Sequence, residues 1–196
     1  FDANYTYSTD KDTDSNERSA TSVTATVAGL DPATGQYVIN PGFDWGLSER
    51  DVEHRFLVSG IVELPLNFKL GGVFVWRDGT PWTGLDPDDD VQNYPGFNGP
   101  DPRAVINGSL VPRNSFRNDD FTRFDLRASY MIPFSGRYQI DIFAEVFNLF
   151  DDNTFYVASG QAQPYDEDGV TNSEFGVPDI LVSTPRQFQL GARFSF

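Results

Sequence analysis

The closing eleven residues, 186–196, constrain this chain more than any other stretch. Phe188, Leu190, Ala192, Phe194 and Phe196 fall on one side of an extended strand, and Gln187, Gln189, Gly191, Arg193 and Ser195 on the other. A side-chain period of two is the mark of a strand. Here it runs to the final residue, where most domains finish in a frayed polar tail. A terminus of this kind is expected to be tied into a sheet.

The same alternation recurs upstream. It predicts six strands at about 1–8, 54–64, 68–76, 121–132, 137–147 and 186–196. Phe124, Leu126, Ala128, Tyr130 and Ile132 oppose Arg123, Asp125, Arg127 and Ser129; Tyr138, Ile140, Ile142, Ala144 and Val146 oppose Gln139, Asp141 and Glu145. Short turns are expected at Pro65-Leu66-Asn67 and at Pro133-Phe134-Ser135-Gly136. The remaining connections, 9–53, 77–120 and 148–185, are long. Alternate connections of an antiparallel meander lie at the same end, so the three long ones share one end and the two turns the other.

Charge separates along the same lines. Residues 9–53, 77–120 and 149–184 hold 24 of the 29 acidic and 7 of the 14 basic residues, a net of −17 against +2 for the rest. Acid is therefore concentrated in the connections. Nucleic acid is excluded as a partner of such a surface, because phosphate binding needs clustered Lys and Arg. No run of 18 apolar residues is present, so no helix is expected to cross a membrane. The chain has no Cys and one His, His54, at the start of a strand. A Ser-His-Asp triad would rest on that residue alone, and no enzyme is expected.

Alternation alone also fits a soluble β-sandwich. The polar face, however, carries Arg123, Asp125, Arg127, Asp141 and Glu145, which suit a wet lumen. The fold class expected is all-β, an antiparallel transmembrane β-barrel. A strand of about 11 residues at about 3.4 Å each, tilted about 45°, spans roughly 26 Å, close to the apolar band of an outer membrane. Six strands cannot close, since about eight is the lower limit, and open edges in lipid are prohibitive. The chain, which begins at Phe1 inside an alternating pattern, is therefore expected to be the C-terminal part of a larger barrel.

The order of motifs resembles the late strands of TonB-dependent outer-membrane receptors. The residues concerned are 54–60, Glu63-Leu64-Pro65, Gly79-Thr80-Pro81-Trp82-Thr83, 112–117 leading into Phe124-Asp125-Leu126-Arg127, 145–151, 185–191 and the terminal Phe196. Arg113-Asn114-Ser115-Phe116-Arg117 resembles the Oar-like branch, which carries a carboxypeptidase-regulatory-like domain. The resemblance covers most strand residues and little of the loops. It implies a barrel of about 22 strands closed by an N-terminal plug that this chain lacks. It implies, too, coupling to the TonB complex, uptake of a large nutrient, peptide or chelate, and a bacterial outer-membrane location with lipid as partner. Phe194 and Phe196 would serve as the membrane-assembly signal. The alternative is a surface-binding or structural protein, an adhesin or protein-handling partner, that uses its acidic external loops.

Within the loops, Trp82, Tyr94, Phe97 and Tyr165 are candidates for ligand contact, since exposed aromatics stack on sugars or grip peptides. Asp10, Asp12 and Asp14 are spaced like the first half of a calcium loop, but the sixth position is Ser15 and the twelfth Thr21. Asp86, Asp88 and Asp90 form a second acidic set. Both sets are candidates for Ca²⁺.

Overall fold

A computed structural model describes residues 1–12, 27–30, 37–39, 45–85, 104–106, 109–134, 136, 138–158, 160–166 and 168–196. Its frame is one antiparallel sheet of six strands: β1 (Asp2–Tyr7), β2 (His54–Leu64), β3 (Phe68–Arg77), β4 (Phe121–Phe134), β5 (Tyr138–Phe147) and β6 (Gln187–Ser195). They neighbour one another in chain order with no crossover. The sheet is open; the outer edges of β1 and β6 pair with no strand among the described residues. No described helix is long and apolar enough to cross a membrane.

Register sorts the side chains into two faces. Val58 pairs with Phe74, Phe74 with Phe124, Leu126 with Val146 and Val146 with Phe188, so one face is apolar from β2 to β6. On the opposite face Arg127 lies between Gly71 and Glu145, and Asp141 pairs with Arg193. Leu70, Ala128, Ala144 and Leu190 form an aliphatic row across four strands. Aromatic rings flank that zone. Phe56 meets Phe74 toward the long connections, while Phe68 packs at a tilt against Tyr130 and Tyr138 stacks on Phe194 toward the tight turns.

The two turns differ in chemistry. Leu64 pairs with Phe68 around Pro65–Asn67, and both Leu66 (φ 63) and Asn67 (φ 64) adopt the left-handed region. Proline pre-sets the first position, but Leu66 has no side-chain means of favouring positive φ. At the second turn the ladder continues past the expected end, with Pro133 opposite Gln139 and Phe134 opposite Tyr138. The β3 ladder has already ended at Phe68–Tyr130. Pro133 therefore sits where β4 has a single neighbour, the edge setting that tolerates a missing donor. Gly136, at φ 78, supplies the left-handed residue of the shortened loop.

Burial is inverted relative to an ordinary domain. Among the described residues, Ala104, Val111 and Ala162 are buried apolar ones, and Ser48, Asp51, Asn114, Asn148, Thr154 and Ser183 buried polar ones; all lie in the long connections. No described residue of β1 to β6 is buried, whereas Pro81, in a short ribbon of the second connection, is. Leu190 is 84% and Phe188 75% exposed on the apolar face. A sandwich would bury these positions against a second layer; among the described residues there is none.

Candidate functional site in the interlocked loops

The three long connections hold one another in a cap above one end of the sheet. Its keystone is the segment Val111–Asp120, built outward from β3. After Arg77 the chain turns at Gly79, where a Cβ would lie 1.9 Å from the carbonyl oxygen of Asn118, so only glycine fits. Pro81–Trp82 then pairs antiparallel with Phe116–Arg117. Asn118 seals the pairing by donating its backbone N–H and its side-chain Nδ2 to the Thr80 carbonyl, 3.0 Å each.

From this ribbon polar side chains reach the first connection. Arg117 donates to Asp51 Oδ2 at 2.7 Å and to the Gly79 carbonyl at 3.0 Å, and lies 3.5 Å from Glu53. Asp51 is 1% exposed, and its other oxygen accepts the Asp10 N–H at 2.7 Å. A carboxylate can be enclosed in this way because a guanidinium and an amide satisfy its two oxygens. Arg113 pairs with the carboxylate of Asp12 and donates to the Asp12 carbonyl at 2.8 Å. Asn114, at φ 52, exchanges hydrogen bonds with Thr83: Thr83 Oγ1 donates to Oδ1 at 2.9 Å and accepts the Asn114 N–H at 2.8 Å. Asn114 Nδ2 donates to the Leu47 carbonyl.

The same segment holds the third connection. Val157 N–H donates to Asn118 Oδ1 at 2.8 Å, and Leu85 N–H to the Ala162 carbonyl at 2.8 Å. Trp82 stacks on Phe116 at 4.6 Å, and Phe175 meets both edge-on at 5.7 and 5.5 Å. Buried Asn148 anchors the base of this connection. Its backbone N–H donates to Asp125 and its Nδ2 to the carbonyls of Asp152 and Thr184.

Below the cap, the polar face carries a ladder of ions. Arg123 pairs with Asp125 at 2.7 Å, and Arg127 with Glu145 at 2.8 Å while its guanidinium lies 3.9 Å from the Phe143 ring centre. A trough of about 650 Å³ runs here, lined by Asp2, Ser59, Ile61, Val73, Arg127 and Glu145 among others.

Of the residues singled out in sequence, Trp82 stands at the centre of the cap's aromatic cluster, and its indole N–H is buried with no acceptor among the described residues. Tyr165 forms an antiparallel bridge with Thr171. Asp10 and Asp12 are brought to Asp51 and Arg113. Asp14, Asp86, Asp88, Asp90, Tyr94 and Phe97 lie outside the described residues. Phe194 and Phe196 stack on each other at 6.1 Å on the apolar face. Sequence reading missed Asp51, Asn114, Phe175 and Asn148. Phe175-Gly176 was the available signal, since Gly176 at φ 75 brings the backbone against Trp82.

Comparison with known family models, with curated proteins and with solved structures finds no match to the chain. The arrangement itself combines an uncovered apolar face, an ion-bearing opposite face and, among the described residues, a cap of interlocked connections.

Proposed function

We propose that this chain is a wall segment of an outer-membrane β-barrel of the TonB-dependent receptor type, one of about 22 strands, which takes up a large nutrient, peptide or chelate captured at its external loops. The observation that carries the reading is the uncovered apolar face opposite an ion-bearing one, with every buried residue among those described lying in the connections. Lipid is the partner that covers such a face without a second layer. Aromatic rows bounding an aliphatic zone fit the two membrane interfaces. Phe124 and Phe134 on β4 are separated by about 34 Å along the strand, or about 24 Å at a tilt near 45°, the height of an outer-membrane apolar band. The open edges of β1 and β6 require further strands, since unpaired backbone is not tolerated in lipid. The plug and the TonB coupling rest on the motif resemblance alone.

A second reading, a surface-binding protein without transport, is favoured by the mutual locking of the described parts of these acid-rich connections. Facing tests the membrane claim. Leu190→Arg, in the aliphatic row, should cost about 2–4 kcal/mol and prevent assembly of heat-resistant barrel in the outer membrane. Gln189→Arg, one residue away on the ionic face, should assemble normally. Equal behaviour of the two variants would sink the barrel reading. Uptake that persists without TonB would leave the surface-binding alternative.

A further inference from the structure

At the loop end of β2 and β3, three side chains of mixed chemistry converge. Asp78 follows β3 directly and sits opposite His54, the first residue of β2: Asp78 N–H donates to the His54 carbonyl at 3.0 Å, and His54 N–H donates to Asp78 Oδ2 at 2.9 Å. Glu53 precedes His54. A ring nitrogen of His54 and one carboxylate oxygen each from Glu53 and Asp78 all lie within 4.8 Å of one another. An ion at the centre of such a triangle is at most about 2.8 Å from each ligand, so side-chain shifts under about 0.8 Å reach the bond lengths of about 2.0–2.2 Å that zinc requires.

The imidazole is already oriented. Tyr5 Oη lies 2.7 Å from His54 Nδ1, the Tyr5 ring stacks at 6.0 Å and the Tyr7 ring tilts over it at 5.2 Å. Tyr5 and Tyr7 hold the orientation of the ring, as the hydrogen-bond partners around most metal-bound histidines do. The donor set decides which ion fits. Glu53 lies 3.5 Å from the Arg117 guanidinium, whose nearer partner is Asp51 at 2.7 Å. An imidazole nitrogen beside two carboxylate oxygens favours the borderline ions, Zn²⁺, Ni²⁺ or Cu²⁺.

We propose that Glu53, His54 and Asp78 form a site at the external rim of the sheet for a borderline divalent transition-metal ion, with Tyr5 as the positioning residue behind His54. Three protein ligands leave at least one coordination position open, so the ion is exchangeable and can take a further ligand from solvent. The site stands on the described geometry and does not depend on transport.

Zn²⁺ titration by calorimetry of the full protein folded in detergent, in wild type and in His54→Gln, tests it. Wild type should bind one Zn²⁺ per chain in a saturable step that His54→Gln weakens at least tenfold, with heat-resistant migration confirming that the variant is folded. Tyr5→Phe should weaken binding about 10-fold to 100-fold, because it removes only the orienting contact. Excess Ca²⁺ should leave the Zn²⁺ step in place. Absence of a saturable step, equal binding by folded His54→Gln, or displacement by Ca²⁺ would each overturn the site. If His54→Gln does not fold, Asp78→Asn decides in the same way, since its amide oxygen can still accept the His54 N–H.

Discussion

Removing Arg117 should open the cap without disturbing the sheet. Its guanidinium makes a charged hydrogen bond to Asp51, worth about 1.5–3 kcal/mol, and a bond to the Gly79 carbonyl worth about 1 kcal/mol. The side chain is 30% exposed, which lowers the first figure through solvent screening. The 1% exposed carboxylate left behind raises the cost, because it would be buried with its charge uncompensated. We expect about 3 kcal/mol for Arg117→Ala. Removing the acid in the same chain relieves that stranded charge, so Arg117→Ala with Asp51→Asn should cost less than the sum of the two singles by about 1–2 kcal/mol. The readout is amide hydrogen exchange at Asp10 and Asn118, whose N–H groups donate to Asp51 and Thr80. A loss of 3 kcal/mol lowers protection about 100-fold at these amides. Exchange in β4 and β5 should not change. Additive costs in the double variant, or loss of protection spread evenly through the sheet, would refute the reasoning.

Three further outcomes follow from local geometry. Gly79→Ala drives a Cβ into the Asn118 carbonyl and should cost about 2–3 kcal/mol in cap opening, measured by limited proteolysis of the connections. Phe175→Ala removes the ring that bridges Trp82 and Phe116 and should cost about 2 kcal/mol, read as a red shift and quenching of tryptophan fluorescence as Trp82 meets water. Leu66→Asn relieves positive φ at a residue that is 80% exposed and should raise stability by about 0.5–1 kcal/mol in a denaturant series on the folded protein.

The sheet was legible because its physics is periodic. Phe124 to Ile132 and Tyr138 to Val146 announce their faces two residues at a time, and register then follows from short turns. Pro133 misled the boundary, since proline ends a strand only where the missing donor is needed. The cap was illegible for the opposite reason. Arg113 and Asp12 are 101 positions apart, and Arg117 and Asp51 are 66 apart. Asp51 is one of nine acids in its connection, with nothing in its neighbours to mark it as the buried one. The connections, expected as irregular, also contain small ribbons such as Phe155–Tyr156 with Ile180–Leu181. Two-residue strands fall below what period can detect. The Glu53–His54–Asp78 cluster escaped notice because its third member arrives only through the pairing of β2 with β3.

The reciprocal locking of the three connections also sets an order of events during folding. Arg113 cannot meet Asp12, nor Val157 meet Asn118, until the strands between them have paired and brought their connections to the same end of the sheet. Cap closure is thus a late step whose completion certifies that each earlier hairpin was paired in register. A hairpin slipped by one residue would invert its faces and displace its loop together. A chain folded with such a slip would carry an unsealed, protease-sensitive cap, so the contacts that make the correct fold durable also report on its register.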